Sequence, residues 1–104
     1  MPVIYKIDKK NVTPAIDADV DQYLSDLKKR LGGLSAYYQT LKRININVGG
    51  TDIDGQPALE VRIDVKLAKG KTAKYVDQDT LPNLATKIQT VYREFIRQSV
   101  WLLD

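Results

Sequence analysis

The 104-residue chain contains no cysteine and no histidine, and each absence removes a class of chemistry. Without cysteine there is no disulfide, no thiol nucleophile and no thiolate ligand for structural zinc. Without histidine there is no imidazole base, and the commonest metal and haem ligand is missing. We therefore expect no catalytic or metal site built on these two residue types, and we expect no small-molecule substrate. We do not expect an enzyme.

Long apolar runs are also missing. No stretch approaches the roughly 20 apolar residues that a helix needs to cross a bilayer, and residues 1–6 do not begin a signal peptide. The lack of cysteine is compatible with a reducing compartment. We therefore expect a cytoplasmic protein with no membrane partner.

A strong excess of one charge is the third thing the chain lacks. Its 16 basic and 13 acidic residues leave a formal net charge of +3, which is mild for a nucleic-acid binder. The charge is unevenly distributed, however. Residues 42–76 hold seven bases and four acids, whereas residues 14–31 hold three bases and four acids. Any basic surface should therefore come mainly from the centre of the chain.

The length suits one domain spanning residues 1–104. Apolar and polar residues alternate over 59–67, which predicts a strand with one buried face. Shorter strands are predicted at 3–7, 44–48 and 71–76. The loop between the second and third strands is predicted to include Gly49, Gly50, Asp54 and Gly55, and residues 68–71 are predicted to form a hairpin turn.

Two amphipathic helices are predicted from apolar residues recurring every three or four positions. The first should begin with Thr13 as N-cap and Pro14 at the first helical position, and should end at Gly32 and Gly33. The second should run from about residue 79 to about residue 99. Residues 34–41 fit either a further helical turn or a packed loop.

Together these elements predict an α+β fold with the order β-α-β-β-β-α. The strands should form a four-stranded mixed sheet, with both helices packed on one face and water on the other. The first strand reaches the sheet through a helix, so we expect it to pair in parallel through a right-handed crossover. The remaining strands should form an antiparallel meander.

Basic residues gather at two places in this arrangement. Lys66, Lys69, Lys71 and Lys74 lie on and beside the last hairpin, and Arg62 shares the wet sheet face with Lys66 and with Arg43 of a neighbouring strand. On the second helix, Arg93 and Arg97 are one turn apart. Such groups neutralise phosphates, but lysines also promote solubility and protect exposed strands. The residues alone leave both interpretations open.

Acidic residues on the first helix offer a weaker pattern. Asp17 and Asp21 are one turn apart, and a carboxylate pair can bind a cation or transfer protons. We interpret them instead as part of a solvated face opposite the apolar stripe.

Short motifs in this order resemble the ribosome hibernation-promoting factor and ribosome-associated inhibitor family. Residues 13–16 read Thr-Pro-Ala-Ile, as in the family's entry to its first helix. Residues 77–81 read Asp-Gln-Asp-Thr-Leu, where the family has an acidic pair before its second helix. Residues 91–97 read Val-Tyr-Arg-Glu-Phe-Ile-Arg, where the family has Lys-Leu-Glu-Arg-Gln-Leu and a further base. Because no long extension follows the second helix, we expect the short form of the family.

The resemblance implies the β-α-β-β-β-α fold, no catalytic residue, no cofactor, and binding to small-subunit ribosomal RNA in the channel for messenger and transfer RNA. Lys29, Arg93 and Arg97 match the family's basic positions. With the bases of the wet sheet face and hairpin, the predicted RNA-binding residues are Lys29, Arg62, Lys66, Lys69, Lys71, Lys74, Arg93 and Arg97.

Two features favour an alternative. Asp17, Tyr23 and Asp26 occupy first-helix positions where the family tends to have bases, and residues 100–103 are apolar. We expect that tail to pack on the domain or on a second copy, because apolar side chains are costly to leave in water. The alternative function is a non-catalytic interaction module, or a homodimer formed through the tail, that has lost RNA binding.

Overall fold

The computed structural model describes residues 3–36, 41–67 and 70–102, with backbone alone for 99–102. A four-stranded sheet carries a layer of helices, and short 3-10 turns flank the first long helix. The elements are β1 (Ile4–Lys10), a 3-10 turn (Pro14–Ile16), α1 (Asp17–Leu31), a second 3-10 turn (Gly32–Ala36), β2 (Leu41–Ile53), β3 (Gln56–Leu67), β4 (Thr72–Thr80), α2 (Leu81–Thr86) and α3 (Ile88–Leu102).

The strands lie in the order β1-β2-β3-β4. β1 pairs with β2 in parallel, and the other two pairings are antiparallel. Ile46 is opposite both Ile7 and Ile63, so these three side chains point to the same face. The predicted α+β class and mixed sheet are therefore confirmed.

Both long helices pack on this apolar face. Each contributes a stripe of side chains to a core shared with β2 and β3, as the helical periodicity predicts. Phe95 of α3 and Leu27 of α1 are fully buried, and the Phe95 ring lies 6.4 Å from the Tyr75 ring of β4. The opposite sheet face is left uncovered by the described helices.

The β2–β3 hairpin is longer than predicted. Pairing continues to Ile53 and Gln56, so the turn is Asp54-Gly55 alone, and both of these residues have positive φ angles. Gly49 and Gly50, predicted in a loop, are strand residues. Gly50 is required by close packing, since a Cβ there would lie 1.9 Å from the carbonyl oxygen of Asn11.

The second predicted helix is divided in two. α2 ends at Thr86, and α3 begins at Ile88, with Lys87 between them in a non-helical conformation. β4 also runs to Thr80 rather than to residue 76, because Asp77 and Asp79 pair with β3. These two carboxylates accept hydrogen bonds from Lys87, so the residue at the helix break contacts the extended part of β4.

The entry to α1 also differs from the prediction. Residues 14–16 form a 3-10 turn before the helix, and the Thr13 side chain makes no capping hydrogen bond. At the other end, residues 32–36 form a 3-10 turn that buries Leu34. The side chains of the apolar tail lie outside the described residues, so its packing and the homodimer remain predictions.

Candidate nucleic-acid interface

The uncovered face of the sheet presents alternate residues of all four strands, and we call it the open sheet face. Its six bases are Lys6, Lys10, Arg43, Arg62, Lys66 and Lys74. Its three acids are Asp8, Glu60 and Asp64. The strand register therefore gives this face a net charge of +3.

Four of the bases, Lys6, Arg43, Lys66 and Lys74, surround one end of the face, and we call them the basic quartet. Arg43 is opposite Lys66, while Lys6 and Lys74 stand on the two edge strands. At a strand spacing of about 4.8 Å, the quartet extends over roughly 14 Å across the sheet. All four residues are exposed, and none has a carboxylate within ion-pair distance in the described part of the chain.

The other charges largely offset one another. Arg62 Nε lies 3.2 Å from Asp64 Oδ2, which forms an ion pair within the face. Asp8 and Glu60 lie toward the far end, near Lys10. The positive potential of the open sheet face is therefore concentrated at the basic quartet.

Two buried oxygens lie in the middle of this face. Asn45 is opposite Asp64, and the Oδ1 atom of each accepts no hydrogen bond within the described residues. Buried acceptors without partners are unfavourable. Because both oxygens have almost no accessible surface, they are not contact points for a ligand on this face.

The predicted RNA-binding residues do not form one surface. Arg62, Lys66 and Lys74 lie together on the open sheet face. Lys29 on α1, with Arg93 and Arg97 on α3, is exposed on the helix side of the sheet. Because the sheet separates these groups, a flat stretch of RNA cannot contact all of them at once.

The remaining two hairpin lysines differ from their neighbours. Lys71 immediately precedes β4 and is half-buried, and its carbonyl oxygen accepts a hydrogen bond of 2.9 Å from the Leu67 N–H. Lys69 lies outside the described residues.

Several bases on the helix side are already engaged. The Arg97 guanidinium donates to Glu94 through both Nε and an η nitrogen. The Arg30 guanidinium lies 4.2 Å from the centre of the Tyr92 ring, and Lys28 lies 5.0 Å from the Tyr5 ring. The Glu94 carboxylate offsets the charge of Arg97, whereas the ring contacts of Arg30 and Lys28 leave their charge unchanged.

The acidic pair on α1 also has a partner. Lys9 Nζ of β1 lies 2.6 Å from Asp21 Oδ1 and 2.9 Å from Asp17 Oδ1. These hydrogen bonds, with Asp21 first and Asp17 second, raise the pKa of Lys9. Both carboxylate side chains stay about half exposed, which agrees with a solvated face, and their contact with Lys9 links that face to the sheet edge.

Lys6 is the member of the basic quartet that sequence reasoning missed. The signal was present, because Lys6 alternates with Tyr5 and Ile7 in a predicted strand. Its position became clear only with the parallel register, which sets Lys6 beside Asn45. Arg43 was recognised as a neighbour on the wet face but was not included among the predicted RNA-binding residues.

Two features are absent from the described ranges. No group of three or more acidic residues is placed to hold a metal ion. No described helix has the length and apolar character needed to cross a bilayer.

Comparison with known proteins gives similarity in structure only. No protein-family model and no curated protein matches the chain. Among solved structures, the N-terminal domain of Protein Y from Thermus thermophilus is 18% identical, with a TM-score of 0.45, covering 90% of this chain and 99% of that one. A ribosomal subunit interface protein from Coxiella burnetii is 17% identical, with a TM-score of 0.46, covering 91% of this chain and 99% of that one.

Proposed function

We propose that this protein binds ribosomal RNA of the small subunit through its open sheet face and acts as a hibernation factor-like inhibitor of translation. The observation that carries the proposal is the basic quartet, four exposed bases on an uncovered sheet with no described carboxylate partner. The motifs at residues 13–16 and 77–81, which resemble the hibernation-promoting family, support ribosomal RNA as the ligand.

The chemistry of the face favours contact with phosphates over reading of bases. Arg43 can form paired hydrogen bonds to a phosphate, and the lysines act as mobile point charges. Within the described residues, the open sheet face has no aromatic side chain on which a base could stack. We therefore expect binding that depends on RNA shape and falls steeply as salt rises.

Co-sedimentation with purified small subunits over a series of salt concentrations tests the proposal. The variant Lys66→Ala/Lys74→Ala removes two quartet charges. Its control, Lys29→Ala/Arg93→Ala, removes two exposed charges on the helix side. For the sheet variant we expect weaker binding and a salt slope smaller by about 1.5, because each lost phosphate contact changes the slope by about 0.7–0.9.

The two pairs distinguish the surfaces. If only the helix-side pair weakens binding, the RNA contacts α1 and α3, and the open sheet face is not the interface. If the wild-type protein does not travel with small subunits even at low salt, the ribosomal proposal is wrong. The alternative, a non-catalytic interaction module, would then be favoured by an apolar groove between α1 and α2.

A further inference from the structure

An apolar groove of about 520 Å³ lies on the helix side, between α1, α2 and the tip of the β2–β3 hairpin. One wall is a stripe of α1 at helical spacing, formed by Asp19, Gln22, Tyr23 and Asp26. The other wall includes Leu81, Pro82 and Ala85 of α2, with Pro57 of the hairpin. None of the bases that form the basic quartet lines it.

The charge of the groove is opposite to that of the open sheet face. Asp19 and Asp26 are its charged lining residues, and both are exposed. Asp26 Oδ1 accepts a hydrogen bond of 2.9 Å from Gln22 Nε2, which orients the carboxylate along the rim. The other two aspartates of this helix are bound to Lys9. Asp19 and Asp26 therefore give the groove a negative potential, which repels a polyanion and attracts a cation.

The distance between the two rim carboxylates, Asp19 and Asp26, indicates what kind of ligand fits the groove. Asp19 and Asp26 are seven residues apart on α1, so they lie on one face about 10 Å apart along the axis. A partner helix lying along the groove would bring bases at positions i and i+7 to both carboxylates. Its residues at i+3 and i+4 would meet the apolar floor around Tyr23 and Leu81.

From this geometry we propose that the groove docks a basic amphipathic helix of another protein, with lysine or arginine at i and i+7 and apolar residues between them. The chain's own apolar tail at 100–103 is a poorer occupant, because it contains no base and is followed by Asp104. The proposal does not depend on RNA binding, since the groove is lined by none of the charged residues of the open sheet face.

Fluorescence anisotropy with a labelled helical peptide tests this. The probe carries lysines at i and i+7, leucines at i+3 and i+4, and alanine or glutamine elsewhere. We expect Asp19→Asn/Asp26→Asn to weaken its binding about tenfold at low salt, as two exposed ion pairs would. The matched control Asp8→Asn/Glu60→Gln makes the same change of net charge on the open sheet face and should leave the affinity within about twofold.

Blocking the floor gives a second, independent measurement. Ala85→Trp on α2, or Gln22→Trp on α1, should abolish binding, and both positions are exposed. Circular dichroism and thermal melting establish that each variant is folded. Having two blocking variants allows the result to be read even if one of them unfolds.

Several outcomes would overturn the proposal. One is absence of peptide binding to the wild-type protein at low salt. Another is equal weakening by both charge variants, which would indicate attraction to net charge alone. A third is equal binding of a peptide with both lysines replaced by glutamine, which would make the site a purely apolar one. A labelled RNA whose binding is lost in the blocked variants would assign the groove to nucleic acid instead.

Discussion

Lys87, at the break between α2 and α3, has its Nζ atom 2.6 Å from Oδ2 of Asp77 on β4. The same ammonium lies 2.8 Å from Asp79 Oδ2. Because the two carboxylates point to the same side of β4, they would repel each other without the lysine between them. The contact fastens the helix layer to one edge of the sheet, while Lys9 and its two aspartates fasten it to the other edge.

The first prediction concerns acid. Hydrogen bonds from Lys87, then Asn83 and the Thr80 N–H, lower the pKa of Asp79 to about 2. The unfolded chain has the higher pKa, near 3.9, and so binds more protons at moderately acidic pH. Stability should therefore rise between about pH 2 and pH 4, be complete above that range, and be lost as pH falls through it.

Urea unfolding at a series of pH values measures this, with Lys87→Met as the comparison. Removing the ammonium returns the pKa of Asp79 toward its usual value, so the difference in stability between the two proteins should shrink as the pH falls. A constant difference across the whole range would contradict the assignment.

The second prediction compares two adjacent glycines of β2. In Gly50→Ala the new Cβ would collide with the Asn11 backbone at 1.9 Å, so we expect a loss of about 1–3 kcal/mol or more. In Gly49→Ala nothing lies within 4 Å, and alanine should instead stabilise the strand by up to about 1 kcal/mol. Equal effects in chemical denaturation would show that the Asn11 contact is not rigid.

The third prediction tests the core. Phe95 is fully buried and meets Tyr75 of β4. Phe95→Ala should therefore cost about 3–5 kcal/mol. Val76→Ala on the open sheet face removes apolar atoms from a residue that is 70% exposed, and should change stability by no more than about 0.5 kcal/mol. The denaturant midpoints of the two variants give the comparison.

The fourth prediction separates two aspartates of α1. Asp17→Lys breaks the ion pair with Lys9 and places two ammonium groups together, so the melting temperature should fall. Asp26→Lys loses only a hydrogen bond from Gln22 and should melt close to the wild type. Equal melting temperatures would show that the contact between Asp17 and Lys9 adds no measurable stability.

What the sequence predicted well depends on local periodicity. The alternation over 59–67 correctly gave β3 its buried and wet faces, so Arg62 and Lys66 were placed on the correct side. The errors arise where distant residues decide the conformation. The sequence favours a turn at Gly50, but in the structure this glycine is a strand residue that packs against the Asn11 backbone. The apolar stripe of the second helix likewise does not show that Lys87 binds Asp77.

In the candidate site, too, residues close in sequence were predicted correctly, whereas those that depend on distant residues were not. Residues on β3 and β4 were assigned together because a hairpin joins them. Lys6 was missed because its neighbours depend on a register set by residues far along the chain. The separation of Lys29 and Arg93 from the sheet bases follows from the predicted packing of both helices on the face opposite the wet one, although the matches to the family grouped all these bases as one RNA-binding set.

The parallel pairing of β1 has a consequence for how the protein folds. The β2–β3 hairpin closes over a two-residue turn, whereas Ile4 must find Arg43 after the whole of α1 has been placed between them. Long loop closure is slow, and it becomes favourable only once the intervening helix has a surface to pack on. We therefore expect β1 to pair with β2 in the last folding step and its amide hydrogens to exchange before those of the other strands. Lys6 would then take its place in the basic quartet only when folding is complete.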